Sequence, residues 1–182
     1  MEVVATAIPD VKLIRPAVHR DARGFFLETW NRGEFVEAGL DSEFVQNNHS
    51  RSQRGTLRGL HYQVENAQGK LCRVSAGEVF DVCVDLRRSS ASFGRWVGTL
   101  LSDENHEALW VPPGFAHGFL VVSETADYQY QCTDFHVPKH ERTILWDDPD
   151  LGIEWPLPDG AAPLLSAKDL AGSAFRDADC FA

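Results

Sequence analysis

Seven histidines stand in this 182-residue chain, and two of them have neighbours suited to proton chemistry. His61 lies in Leu57-Arg58-Gly59-Leu60-His61-Tyr62-Gln63, and His117 in Pro112-Pro113-Gly114-Phe115-Ala116-His117-Gly118. An imidazole that holds no metal is a general base near neutral pH, and a carboxylate beside it would orient the ring and stabilise its protonated form. Tyr130, in Tyr128-Gln129-Tyr130-Gln131, is of the type that returns a proton. A phenol with an ordinary pKa of about 10 keeps its hydrogen at neutral pH and can give it to a carbanion. Lys70 and His117 are of the types that hold negative charge developing on an enolate oxygen. Together these parts suit removal of a proton beside a carbonyl.

Each residue also has a plainer reading. A lone histidine is more often a hydrogen-bonded core residue than a base, and Gly59 adds only that backbone can approach closely there. Tyr128 and Tyr130 are two apart, so on a strand they share a face and periodicity does not choose between them. Asp169 follows Ser166 by three residues, the spacing of a helix capping box. Asp81 and Asp85 share one strand face, where a solvated surface or arginine partners is the expectation rather than an acid–base pair. His49 is expected to serve its loop, and His19, His106, His136 and His140 carry no assigned role.

The elements that must position these groups are short β-type runs separated by Gly, Pro, Asn and Asp. Segment 79–86 places Phe80, Val82, Val84 and Leu86 on one face, with Val79, Asp81, Cys83 and Asp85 on the other. Further strands are expected over 11–15, 25–30, 44–47, 71–75, 95–101, 108–111, 118–122, 127–133 and 143–146. About ten strands without a long helical period predict an all-β antiparallel sandwich or barrel. Short helices are expected after Asn31, ending near Gly39, and after Ser166, ending at Gly172. The Pro-rich stretch 156–163 reads as an ordered connection, and nothing divides residues 1–182 into more than one domain.

Composition narrows the partners. Formal net charge is −10, from 17 basic and 27 acidic residues, which disfavours nucleic acid but allows a local Arg/Lys cluster to hold a small anion. No apolar run approaches the roughly 20 residues that span a bilayer, and Met1 to Pro9 lacks the features of a signal peptide. Cys72, Cys83, Cys132 and Cys180 are widely spaced, so no disulfide framework or CxxC pair is expected. A cytoplasmic protein without membrane contact is the expectation.

Pro112 to His117 follows PxGxxH, the spacing of the second cupin motif. A metal-binding cupin would also need an HxH pair and a downstream Glu, where this chain has Gln63 after His61 and then Gln68. Neutral amides are poor transition-metal ligands, so a metal-free site is expected.

At this point the chain resembles the dTDP-4-dehydrorhamnose 3,5-epimerase family. The resemblance is carried by DARGFFLETW (21–30), QNNHS (46–50), LRGLHYQ (57–63), QGKLCRV (68–74), GEVFDVCVDLR (77–87), SFGRW (92–96), LWVPPGFAHGFLV (109–121), ILWDDPDLGIEWP (144–156) and LLSAKD (164–169), in family order. It implies a cupin-like jelly roll in a homodimer, and cofactor-free inversion of C3 and C5 of dTDP-4-dehydro-6-deoxy-D-glucose. By motif, it implies His61 as proton acceptor, Tyr130 as donor and Asp169 as the carboxylate paired with the base, with Lys70 and His117 close to the sugar. Arg23, Glu28, Gln46, Asn47, Asn48, Arg58, Glu141 and Lys168 match positions of nucleotide-sugar binding, with Arg23, Arg58 and Lys168 as pyrophosphate partners. One departure is Phe135-His136, where the family often has two tyrosines near the sugar. A mono-epimerase inverting C3 or C5 alone, a metal-dependent cupin and a non-catalytic nucleotide-sugar binder are the alternatives.

Overall fold

A computed structural model describes residues 1–158 and 161–182 of the chain. The first half carries β1 (Glu2–Ala5), β2 (Lys12–Arg15), β3 (Val18–Asp21), β4 (Gly24–Leu27), α1 (Arg32–Glu37), β5 (Gln46–Gln53), β6 (Leu57–Gln63), β7 (Lys70–Ala76) and β8 (Glu78–Asp85). The second carries β9 (Trp96–Ser102), β10 (Ala108–Val111), β11 (Phe115–Val121), β12 (Thr125–Cys132), β13 (Glu141–Thr143) and α2 (Ala167–Leu170). One sheet runs β1-β2-β10-β7-β12-β5 and a second β13-β6-β11-β8-β9, with β3-β4 as a separate hairpin. The strand pairs are antiparallel. This is the expected all-β jelly-roll sandwich.

Alternation along the strands builds the interior. Cys72 and Val74 of β7, Val79 and Cys83 of β8, Phe115 and Phe119 of β11, and Tyr128 of β12 meet in one cluster between the sheets. Burying each such side chain contributes about 1.5–3 kcal/mol before entropy is subtracted. The opposite faces of β6, β8 and β11, with Leu60, Val82, Val84, Leu86 and Ala116, are covered by Trp155, Phe175 and Phe181 from the C-terminal segment. Bridges Thr56↔Leu164, Ile144↔Ser173 and Arg87↔Phe181 tie that segment to the sheet edges. This wrapping brings α2 against β6.

It also corrects the reading of β8. The face carrying Asp81 and Asp85 is not solvated; both residues are fully buried. The C-terminal cover takes the hydrophobic face, so the carboxylate face is the one turned into the sandwich. Asp85 does have the expected arginine partner, with Arg87 Nη2 donating to Oδ2 at 2.7 Å.

Other expectations shift by smaller amounts. β5 extends to Gln53, and β1, β3 and β6 are strands the hydrophobic pattern does not mark. β6 is the costly omission, because its Arg58, Gly59 and His61 interrupt any period-2 reading. His49 sits within β5, opposite Gln129, not in a loop. Asn31 caps α1 by accepting from the N–H of Gly33 and Glu34, while Glu34 approaches the N-terminal amine at 3.6 Å. Ser166 and Asp169 form a complete capping box on α2. The expected connection 156–163 includes residues 159 and 160, which lie outside those described.

Candidate active site

The concave interior of the sandwich opens as a cavity of about 390 Å3. Four strands present their inward residues to it: Asn48 from β5, His61 from β6, His117 from β11 and Tyr130 from β12 all line it. Arg58, Lys70 and Lys168 add positive charge and Glu141 a carboxylate. A basic pocket therefore exists within a protein of net charge −10, the local arrangement that an anionic small molecule requires.

A bulge aims two of these groups. Across β6 and β11 the register runs His61↔His117 and then Arg58↔Phe119, so two residues, Gly59 and Leu60, stand opposite Gly118 alone. The extra residue turns Arg58 toward the same cavity as His61, where strict alternation would send it to the other face. The strands touch backbone to backbone here: a Cβ on Gly59, whose φ is +147, would lie 2.5 Å from Gly118 Cα. Gly59→Ala is expected to cost about 1–3 kcal/mol of stability and, by displacing His61, about 100-fold in turnover. Thermal unfolding and kcat measured on the same preparation check this; an unchanged pair of values would show that the close contact is dispensable.

His61 is held by a carboxylate 108 positions away. His61 Nε2 lies 2.7 Å from Asp169 Oδ1, and the Gly59 N–H donates to the same oxygen at 3.2 Å. The other oxygen, Oδ2, accepts from the Ser166 N–H at 3.0 Å and the Ser166 hydroxyl at 2.5 Å. Asp169 is thus both the cap of α2 and the partner of His61. Despite desolvation, its hydrogen bonds from His61 and Ser166 hold its carboxyl far below the usual range. An ionised carboxylate only accepts, so the bonded ring nitrogen of His61 carries the proton and the other carries the lone pair. Burial lowers the His61 pKa, and the Asp169 hydrogen bond partly opposes that fall. At neutral pH the ring is a free base facing the cavity.

Tyr130 stands half-buried on the opposite sheet. Burial pushes its phenol up to about 12, so it remains a proton donor across the neutral range. Lys70 Nζ lies 5.9 Å from its ring centroid. Tyr128, two residues earlier, is fully buried and stacks on Phe119 at 4.1 Å. Its hydroxyl donates to Asp81 Oδ2, and its oxygen lies 3.2 Å from His117 Nε2. His117 Nε2 in turn lies 2.9 Å from Asp81 Oδ1. A second histidine–carboxylate pair therefore forms the cavity floor, and Asp81 is the member that the solvated-face reading missed. Burial forced by the C-terminal cover was the absent signal.

Other expected residues divide. In β5, Gln46 and Asn48 line the cavity, while Asn47 is exposed on the other face and lines a separate cleft beside Gln131. Gln46 Oε1 accepts from the His136 N–H at 2.9 Å, and Lys168 Nζ donates to Glu141 Oε1 at 2.8 Å. Arg23 and Glu28 do not reach this cavity. Arg23 is paired with Asp21 on the β3–β4 hairpin, and Glu28 lines a different cavity of about 260 Å3 beside Trp30 and His106. Ser50, Gln68 and Phe119 line the main cavity with no signal in the sequence, and His136, from the Phe135-His136 departure, lines it too.

The two glutamines at the metal-cupin positions have other work. Gln63 Nε2 donates to Asn66 O at 2.7 Å and its Oε1 accepts from the Val137 N–H at 2.6 Å. Gln68 Nε2 donates to Asp134 O at 2.8 Å. Both amides clamp the loop after β12, so that donor set does not fit a transition metal.

A family model described as dTDP-4-dehydrorhamnose 3,5-epimerase matches residues 5–177. A dTDP-4-dehydrorhamnose 3,5-epimerase of Pseudomonas aeruginosa is 60% identical over 182 residues, covering 100% of this chain and 99% of its own. Among solved structures, a dTDP-6-deoxy-D-glucose-3,5-epimerase from Legionella pneumophila, in complex with dTDP-4-keto-L-rhamnose, superposes with TM-score 0.94 at 48% identity, covering 98% of this chain and 94% of that one. A 3'-monoepimerase from Streptomyces bikiniensis, in complex with dTDP-quinovose, gives TM-score 0.88 at 33% identity, covering 94% and 87%.

Proposed function

The chain belongs to the dTDP-4-dehydrorhamnose 3,5-epimerase family, and from that premise we propose that His61 and Tyr130 invert C3 and C5 of dTDP-4-dehydro-6-deoxy-D-glucose by proton transfer. The enzyme is an isomerase. The observation that carries the residue assignment is the pairing of partly buried His61 with buried Asp169 across the cavity from Tyr130. A C4 ketone acidifies the hydrogens on both neighbouring carbons. His61 takes one of them, the electron pair moves onto the ketone oxygen, and Lys70 and His117 hold the enolate charge. Tyr130 gives its hydroxyl proton to the other face of the same carbon. His61 ends protonated and Tyr130 ionised, and exchange with water resets both. No electron leaves the substrate, so the step needs no redox cofactor, and Lys70 and His117 take the charge-holding role that a Lewis acid would otherwise fill.

Arg58 and Lys168 suit the pyrophosphate, and Gln46, Asn48 and Glu141 the nucleotide-sugar's polar edges. Arg23, Glu28 and Asn47 lie outside the cavity of their own chain. On the β3–β4 hairpin that carries Arg23, Phe25 and Phe26 are 55% and 71% exposed. We assign this hairpin to contact with a second copy in a homodimer, where Arg23 and Glu28 belong to the partner's substrate. Among the described residues no helix is long and apolar enough to cross a membrane, and a single-domain enzyme working in the cytoplasm is the reading we favour.

Product analysis tests the reaction. Incubation with dTDP-4-dehydro-6-deoxy-D-glucose is expected to yield the product inverted at both carbons, read from ring proton couplings by NMR. A product inverted at one carbon would instead assign the mono-epimerase reaction, a reading favoured by the similar fold of the Streptomyces enzyme and by His136 beside the cavity.

The pH profile follows from the shifts. The active base is neutral His61, so kcat/KM rises with pH through its pKa and levels off above it. Burial lowers that pKa, so activity is expected to persist below the ordinary histidine midpoint of about 6.5. Asp169→Asn removes a contribution that raises the pKa, so the acid limb should move further down while the plateau falls. Because the Tyr130 phenol stays protonated to about 12, it contributes no alkaline limb in the neutral range. An acid limb that rises in Asp169→Asn would contradict the pairing.

A further inference from the structure

Beneath the cavity lies a cluster that proton transfer leaves partly unexplained. Cys72 of β7, Asp81 of β8 and His117 of β11 are 0%, 0% and 6% exposed, and one ligand atom from each lies within 4.8 Å of the other two. Cys72 Sγ is 3.8 Å and Asp81 Oδ1 is 2.9 Å from His117 Nε2. Ligands on a tetrahedral zinc ion would stand about 3.6 Å apart for S and N and about 3.4 Å for N and O. The two separations to His117 Nε2 are therefore within about half an ångström of the bound geometry, and the third, between Cys72 and Asp81, is no more than 4.8 Å.

We propose that Cys72, Asp81 and His117 form a binding site for a thiophilic divalent cation, Zn2+ or its probe Cd2+, and that occupation switches the enzyme off. The three groups are a soft thiolate, a borderline imidazole and a hard carboxylate, a set that favours zinc over magnesium or calcium. Charge permits burial: one divalent cation with one thiolate and one carboxylate is neutral, so the closed interior holds no net charge. Protons balance with the Cys72 thiol releasing one to solvent. His117 moves its remaining proton to Nδ1 and offers the Nε2 lone pair, and Tyr128 keeps its hydroxyl on Asp81 Oδ2. The way in is the substrate cavity, which His117 and Tyr128 line.

Occupation fixes the His117 ring on the cation through Nε2, and drawing the ring down toward Cys72 and Asp81 takes its remaining N–H out of reach of the enolate. Losing one such donor costs about 100-fold in kcat. The expected inhibition is slow in onset, because the ligands are buried, and is reversed by a chelator.

The test begins with Cd2+ added to the metal-free full-length protein. We expect one equivalent per chain to raise a thiolate-to-cadmium charge-transfer absorbance and to release one proton. Zn2+ at saturation should then lower turnover about 100-fold, with recovery in EDTA. Cys72→Ala should retain turnover, lose the absorbance and need at least about tenfold more Zn2+ for the same inhibition. Cys72→Val, which fills the space of the thiol, repeats the measurement should the smaller side chain loosen the core. Absorbance surviving in both variants would assign the metal to another cysteine and overturn the proposal. Zn2+ inhibition unchanged in both would move the metal to the His61, His136 and Glu141 side of the cavity and overturn it equally. A wild-type protein that neither absorbs nor slows would end it.

Discussion

His61→Ala is expected to lower turnover by about 10²–10⁴-fold, the usual worth of a positioned general base. At 1.36 kcal/mol per decade this is about 3–5 kcal/mol of transition-state stabilisation. The affinity for dTDP should barely change, because the anion-binding groups, Arg58 and Lys168, are anchored independently. Arg58 Nε and Nη2 donate to Ser52 Oγ at 3.2 and 3.1 Å, and Lys168 is paired with Glu141. Asp169 would lose its imidazole partner, but its bonds to Ser166 keep α2 capped, so the variant should fold. Single-turnover NMR with calorimetric dTDP binding separates the two effects. Turnover equal to the parent's would remove His61 as the base, and loss of binding alone would make it a ligand contact.

Tyr130→Phe has the second large effect, and of a different kind. Base and acid act from opposite faces, so removing the acid should stop inversion while leaving proton removal in place. In D2O, His61 would abstract a proton, exchange it with solvent and return a deuteron to the same face. Recovered substrate should then carry deuterium with its configuration unchanged, while product formation falls by about 10²-fold or more. The corresponding change at Tyr128 has another signature. Its ring packs on Phe119 and its hydroxyl serves Asp81 and His117, so Tyr128→Phe should lower stability and slow exchange and inversion together. If Tyr128→Phe rather than Tyr130→Phe uncoupled exchange from inversion, the acid would be the wrong tyrosine.

How much of this could be read from the chain depends on the distance over which each fact is decided. The alternation of β8 is local and shows directly in Phe80, Val82, Val84 and Leu86 against Val79, Asp81, Cys83 and Asp85. Which of those faces meets water is not local. It is decided by Trp155, Phe175 and Phe181, some 70 to 100 positions further on, so nothing near Asp81 in the chain marks it as buried. β6 shows the converse: its bulge at Gly59 and Leu60 breaks the period on which strand recognition depends. The pairing of His61 with Asp169 is invisible to spacing, since a capping box accounts for Asp169 by itself. Only the family resemblance joined them, and the geometry shows both roles held at once, one by each carboxylate oxygen. In QNNHS, strand period alone would have separated inward Gln46 and Asn48 from outward Asn47; the motif match treated them as a block. Arg23 and Glu28 match the family's positions yet stand away from the cavity, and nothing in the strand period signals that separation.

At the centre of this reading, one cavity moves protons at both carbons beside the ketone. The most direct measurement is turnover of dTDP-4-dehydro-6-deoxy-D-glucose by the wild-type enzyme in D2O, with deuterium at C3 and C5 followed by NMR and mass spectrometry. The account predicts product with one deuteron at each carbon and both centres inverted. Deuterium at one carbon alone, or inversion without solvent deuterium at either, would contradict it.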